Sequence, residues 1–160
     1  MSRIVKFGLV AGWERGTKMG SMRTRCVGGI VRDGDGRLLL VRRGRPPGEG
    51  LWSIPGGRVE PGEDDPAAVA RELKEETGLD VAVGALAGTV ERPGPGGVIY
   101  EIHDYTATVT GGTLRAGDDA SDARWVRPGD LAGLPVTPGL LEALAEWGVL
   151  DAAEGGGTDV

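Results

Sequence analysis

GRVEPGEDDPAAVARELKEETGL, residues Gly57 to Leu79, is the stretch that decides the reading of this chain. Three carboxylates, Glu72, Glu75 and Glu76, stand within one helical turn, and Arg71 comes directly before them. On a helix of ~100° per residue the three side chains share an arc of about 100°. Three anions this close repel one another by several tenths of a kcal/mol per pair, roughly, on an isolated helix. Arg71 offsets part of that through Glu75 at i,i+4, and a divalent cation would offset far more. Hard cations of this kind take carboxylates, carbonyls and water, and Mg²⁺ commonly shares its ligands with a substrate phosphate. Pro55-Gly56-Gly57 precedes the segment and lets the backbone turn sharply and approach a ligand closely.

The helix carries its own start and stop signals. Glu63, Asp64 and Asp65 put negative charge at its N-terminus, where the macrodipole favours it. Pro66 suits the first turn, and Gly78 suits the position just past the end. Val69, Ala70, Leu73 and Thr77 make a narrow stripe that predicts the core-facing side.

Taken alone, the acidic cluster fits a solvated helix with one ion pair. Its surroundings exclude that reading. The segment resembles the Nudix box, the signature G-x5-E-x7-R-E-U-x-E-E-x-G-U of the Nudix hydrolases, with U aliphatic. Gly57, Glu63, Arg71, Glu72, Leu73, Glu75, Glu76, Gly78 and Leu79 fill its positions without a departure. Seven fixed identities match by chance on the order of 10⁻⁹ times per starting position, loosened about tenfold by the glycine-rich composition. The resemblance implies an α+β fold, a Nudix-type α/β/α sandwich with a central mixed β-sheet. It implies Mg²⁺- or Mn²⁺-dependent hydrolysis of a diphosphate linkage in a nucleoside diphosphate derivative. Glu72, Glu75 and Glu76, with the Gly56 carbonyl, are the implied metal ligands. Arg71 is implied to orient Glu75. Gly57, Glu63 and Gly78 are implied to be structural. The general base stays open between Glu72 and a carboxylate outside the box.

Outside the box, Leu51 to Gly57 resembles the family's usual lead-in, and Gly117 to Val126 its acidic loop. That loop offers Asp119 as a further metal ligand or base, ahead of Asp118 and Asp122. Arg42, Arg43 and Arg45 flank the glycine loop, and arginine suits bidentate phosphate contacts. Arg42 and Arg43 are the expected phosphate contacts. Trp52 is a candidate for stacking on a base, against a packing role. His103 is expected to be structural rather than a proton carrier. ADP-ribose-like compounds rank first as substrates on the loose likeness of IYEIHDYTA and the loop after it, with (oxidised) nucleoside triphosphates second. A non-catalytic nucleotide sensor is disfavoured by the intact box. An isopentenyl diphosphate isomerase is disfavoured because Cys26 lies in no motif of that enzyme.

The chain has 160 residues, which suits one domain with a proper core. It holds four Trp, two Tyr and one Phe, so aliphatic residues must fill most of the interior. A net charge of −6 argues against a nucleic-acid polymer as partner and leaves a single nucleotide open. One cysteine, Cys26, excludes an internal disulfide and fits a reducing cytoplasm; it is expected to be buried. No apolar run has membrane-spanning length. Many members of the resembled family are dimers, so a homodimer is an expectation as well.

The rest reads as strands and a closing helix. Residues 1–22 are an N-terminal extension, an extra strand or a flexible piece. Residues 23–151 form the single domain. Residues 152–160 are a polar, glycine-rich tail expected to be disordered. Arg25 to Arg32 and Arg37 to Arg43 are expected to pair as a hairpin across Asp33-Gly34-Asp35-Gly36. Val81 to Val90 and Val98 to Thr110 make a second hairpin, followed by a strand at Ala123 to Arg127 and a helix at Pro138 to Trp147.

Overall fold

The computed structural model describes residues 4–6 and 22–150. Among the described residues eight strands run in the order β1 (Ile4–Lys6), β2 (Arg23–Val31), β3 (Leu38–Arg43), β4 (Trp52–Ser53), β5 (Gly56–Arg58), β6 (Leu79–Pro93), β7 (Ile99–Gly112) and β8 (Ala120–Val126). The helix α1 (Asp65–Thr77) lies between β5 and β6, and α2 (Leu140–Glu146) closes the described fold. The strands form a mixed five-stranded sheet of order β1-β6-β7-β2-β5 and a three-stranded sheet of order β4-β3-β8. Within the N-terminal extension, residues Ile4–Lys6 form β1, parallel to Thr89–Glu91 of β6. The expected disorder of residues 152–160 lies outside the described residues.

Alternation along the strands divides the interior in two. Val27, Val31 and Ala107 pack with Ala68, Val69 and Leu73 of α1. Ile30, Leu38 and Leu40 pack with Leu140 and Leu144 of α2. Neighbouring side chains of one strand point to opposite faces, so each helix covers its own face, and the sandwich has the expected α/β/α layers. Gly29 sets how closely α1 approaches: a Cβ there would stand 2.6 Å from Leu73 Cδ2. The inward stripe of α1 is Asp65, Ala68, Val69, Leu73 and Thr77. Ala68 therefore takes the place expected for Ala70, which is half-buried.

The first expected hairpin is corrected. β2 pairs with β5 and with β7, while β3 pairs with β4 and β8. Only an isolated bridge, Arg32 to Leu38, joins the ends of β2 and β3. The turn itself forms: Asp33 Oδ1 accepts the amides of Asp35 and Arg37, and Gly36 has φ 81°. The two strands diverge from it into different sheets, a separation local periodicity does not encode. β6 and β7 pair antiparallel as expected. α2 is shorter than expected, because Gly139 at its start is left-handed and Trp147 is its C-cap. No described helix is long and apolar enough to cross a membrane.

A polar tie fixes the start of α1. Asp64 caps the helix through the Ala67 amide at 2.9 Å. Asp65 turns inward, taking Arg25 in a fork at 2.8 and 2.7 Å and the Tyr105 hydroxyl at 2.6 Å. Its role is thus a buried clamp between α1, β2 and β7 rather than charge for the macrodipole alone. The Arg25 guanidinium holds the Asp65 carboxyl below its ordinary 3.8. A depressed carboxylate contributes stability above the ordinary value and loses it as pH falls through the folded value. Asp65→Asn is expected to lower stability at neutral pH by about 1–3 kcal/mol. Urea unfolding at neutral pH and below the carboxylate range checks this: the gap between the two chains should close in acid.

Candidate active site

Arg71 is the hub of the site. Its Nε and Nη2 fork the Glu63 carboxylate at 2.7 and 3.0 Å, and Nη2 also donates to the Arg58 carbonyl at 3.0 Å. Nη1 donates to Glu72 Oε2 and to Glu75 Oε1, both at 3.1 Å. One guanidinium thus ties the loop before α1 to two of its carboxylates. The expected pairing with Glu75 is present, and Glu63 is the closer partner. Glu63 also accepts the Glu60 amide at 2.9 Å, which closes the turn into the helix. Arg71 holds the Glu63 carboxyl down at about 2, and the acids in turn hold Arg71 far above its ordinary value.

Gly56 and Gly57 act through what they lack. A Cβ on Gly57 would run into the Glu72 carboxylate, so the missing side chain is a notch that admits it. A Cβ on Gly56 would run into the Val27 carbonyl, so the glycine lets β5 lie against β2. The Gly56 amide donates to Glu76 Oε1 at 3.0 Å. Gly78 ends the helix as expected, with φ 76° and its amide on the Lys74 carbonyl.

Burial pushes the Glu72 carboxyl up, against the pull of Arg71. Burial pushes Glu76 up to about 8, helped by the negative charge of Glu72 and Asp119 and opposed by the Gly56 amide and Arg43. The donors that the two half-buried acids offer are all carboxylate oxygens. That chemistry fits Mg²⁺ or Mn²⁺. The three box carboxylates are nonetheless not gathered on one point. Among the described residues no three acid, cysteine or histidine side chains converge as a ligand cluster. The reason is visible: Arg71 draws Glu72 and Glu75, while the Gly56 amide draws Glu76.

The acidic loop lies where the sequence places it. The Gly117 amide donates to the Glu76 carbonyl at 3.0 Å, and the Gly44 amide to the Asp119 carbonyl at 2.8 Å. Asp118 has φ 48°, a left-handed conformation unusual for a residue with a side chain. Asp119 pairs with Arg45 at 3.0 Å, and both are exposed. Asp122 turns away to Arg124 at 3.0 Å. Of the expected phosphate contacts, Arg43 acts electrostatically on Glu76. Arg42 instead donates to Ser121 Oγ at 2.9 Å. Trp52 is 4% exposed and belongs to the core on the α2 side. The Arg42 and Arg124 guanidinium groups lie 5.9 and 5.0 Å from its ring centre. Trp52 therefore packs rather than stacking on a base. His103 bonds Glu101 at 2.9 Å and Thr89 at 3.4 Å, and Cys26 is buried, with burial holding its thiol up at about 11. Two surface hollows, of about 230 and 420 Å³, are both bordered by Arg37 and Trp125 and touch none of the box carboxylates.

Residues 22–147 match the family model of the NUDIX domain. The chain belongs to the NUDIX family. It is similar to an ADP-ribose pyrophosphatase of Methanocaldococcus jannaschii, 42% identical over 69% of this chain and 63% of that protein. It is similar to a CTP pyrophosphohydrolase of Escherichia coli, 32% identical over 74% of this chain and 87% of that one. The crystal structure of a MutT NUDIX hydrolase from Burkholderia pseudomallei superposes with a TM-score of 0.67 at 29% identity, over 78% of this chain and 98% of that one. The chain spans less than two thirds of the length of two of the curated relatives it matches, 63% and 65%.

Arg92 and Asp104 lie on neighbouring strands of the NUDIX sheet and outside the box, and the motif gives no hint of them. Their signal in the sequence is a charge at an inward step of a strand, as in the alternation Tyr100, Ile102, Asp104 of β7.

The two glycines are separable. In Gly56→Ala the new methyl meets backbone, so β2 and β5 must part, and a loss of about 1–3 kcal/mol is expected. In Gly57→Ala it meets a carboxylate that can swing aside. Gly57→Ala should keep its melting temperature within a few degrees, roughly, while Mn²⁺ affinity falls several-fold. Thermal melts and calorimetric Mn²⁺ titrations of both variants check the contrast.

Proposed function

We propose that this chain is a divalent-metal-dependent pyrophosphohydrolase of nucleoside diphosphate derivatives. The observation that carries the reading is the Arg71 hub: one guanidinium fixes Glu63, Glu72 and Glu75 around a glycine notch beside the half-buried Glu76. The names of the relatives support it, since they are pyrophosphatases and pyrophosphohydrolases of such compounds.

Glu72, Glu75 and Glu76 would hold the ion, joined by the Gly56 carbonyl and by Asp119 of the loop packed on the end of α1. A bound Mg²⁺ or Mn²⁺ supplies neutralising charge for the phosphate oxygens and acidifies water. The chain does the positioning, which carries most of phosphoryl-transfer catalysis. Water oxygen bonds to one phosphorus, the bridging P–O bond breaks, and the second phosphate leaves with the bonding electrons. A carboxylate takes the water proton. Glu72, fixed by Arg71 and the Gly57 notch, is the first candidate for that base, and Asp119 the second. Arg71 is a positioning residue, since its donors are spent on protein acceptors. Arg43 is the phosphate contact; Arg42 and Trp52 support the wall behind it. ADP-ribose-like compounds and (oxidised) nucleoside triphosphates share the bond that is cut and differ at the base.

Glu75→Gln and Glu76→Gln are each expected to lower turnover by several orders of magnitude with the circular dichroism spectrum unchanged. Phosphate release from a panel of nucleoside diphosphate derivatives with Mg²⁺ and Mn²⁺ measures this. Full turnover in both variants would sink the reading.

A further inference from the structure

The carbonyls of a helix's last turn have no partner within the helix. In α1 the loop between β7 and β8 takes two of them up. The Arg115 amide donates to the Thr77 carbonyl at 2.9 Å, and the Gly117 amide to the Glu76 carbonyl at 3.0 Å. Gly117 then opens a turn that the Ala120 amide closes on the Gly117 carbonyl at 3.0 Å. Asp118 and Asp119 are the two residues inside that turn. Its far side is held by the end of β3. Gly44, the residue after that strand, donates its amide to the Asp119 carbonyl at 2.8 Å. One short turn is thus bonded to the helix that carries Glu72, Glu75 and Glu76 and to a strand of the other sheet.

Both contacts are made by glycine, and close approach is the reason. Neither Gly44 nor Gly117 has a left-handed φ, so backbone freedom does not call for glycine at either position. A Cβ on Gly117 would run into the Glu75 carbonyl. A Cβ on Gly44 would stand 2.8 Å from the Asp119 carbonyl oxygen and 3.4 Å from the Ser121 nitrogen. These neighbours are backbone atoms and cannot swing aside as a side chain does. Alanine at Gly117 must therefore push the turn off α1, and alanine at Gly44 must push it off β3.

The Asp119 side chain is held quite differently. Its carboxylate meets Arg45 at 3.0 Å, with both side chains largely exposed. Exposed ion pairs of this kind hold weakly. The backbone of Asp119 is fixed from two sides while its carboxylate stays free to change partners. A donor with a fixed root and a mobile head suits a ligand that engages an ion when one arrives.

We propose that Gly44 and Gly117 are positioning residues that pinch the turn between β3 and α1 and so set the place of Asp119 relative to the box carboxylates. This assignment rests on the reading of the site as that of a metal-dependent pyrophosphohydrolase. It concerns ion binding alone, before any substrate is present.

The test is a set of calorimetric Mn²⁺ titrations on the full chain without substrate. The variants are Gly44→Ala, Gly117→Ala and Asp119→Asn, with each alanine also combined with Asp119→Asn. Asp119→Asn should weaken Mn²⁺ binding by about tenfold. Each alanine variant should weaken it several-fold when Asp119 is present and cause no further loss when residue 119 is already Asn. Asp119→Glu, longer by one methylene, should restore part of the affinity lost in Gly117→Ala, a rescue that general damage to the fold would not allow. Should Gly117→Ala not fold, Gly44→Ala carries the same comparison from the other side of the turn. Unchanged affinity in Asp119→Asn, or in both alanine variants, overturns the proposal. So does an equal loss with and without the Asp119 carboxylate, which would mean that the alanines act on α1 itself. Absence of turnover on any nucleoside diphosphate derivative, with the pattern of Mn²⁺ affinities as expected, overturns the hydrolase reading and supports the pinch.

Discussion

The bonds made by Arg71 are the constraint on which the rest of this site depends. Three glutamates within one helical turn oppose helix formation, and Glu72 and Glu76 are half-buried as well. A guanidinium has five donors in a fixed plane. Arg71 spends them on Glu63, Glu72, Glu75 and the Arg58 carbonyl. A lysine ammonium, as a compact point charge, would keep some attraction but not the geometry. The sequence separation of eight residues between Glu63 and Arg71 then has a physical meaning. It is the distance from the turn before the helix to the middle of the helix, spanned by one long side chain.

Much of this was legible because the box is a local structure. Its helix, caps and glycines lie within one short segment, so spacing alone carries them. Gly78 as a terminator follows from residues a few positions apart, while Glu63 as a junction residue and Gly57 as a required glycine follow from the resemblance to the box. The metal set was legible in composition and less so in geometry. A carboxylate's rotamer depends on its nearest donor, and here the donors are Arg71 and the Gly56 amide.

Long-range relations were the illegible part. Asp33-Gly34-Asp35-Gly36 signals a turn, and the turn forms, but nothing in RCVGGIVR or RLLLVRR says that the strands on either side leave for different sheets. Each strand feeds both clusters, Val27, Val31 and Leu39 on the α1 side and Ile30, Leu38 and Leu40 on the α2 side, so the apolar pattern does not say which sheet a strand joins. Trp52 illustrates the same limit. An aromatic beside a glycine loop fits a base platform and a core residue equally well in sequence. Its bridge to Val136 and its place among Ile30, Leu40 and Leu131 settle it as core.

The two faces of the five-stranded sheet treat buried charge in opposite ways. On the α1 face Asp65 meets Arg25 and Tyr105, and Glu91 meets Arg23 at 2.8 Å, so each acid has a partner. On the α2 face Asp104 Oδ1 and Arg92 Nε are buried without a hydrogen-bond partner. Each such buried group costs about 1–3 kcal/mol if it stays unsatisfied. Gly28 and Gly88 carry no Cβ where Asp104 Oδ1 and the Trp147 indole lie, so it is two glycines on the flanking strands that admit these buried polar groups to the sheet face.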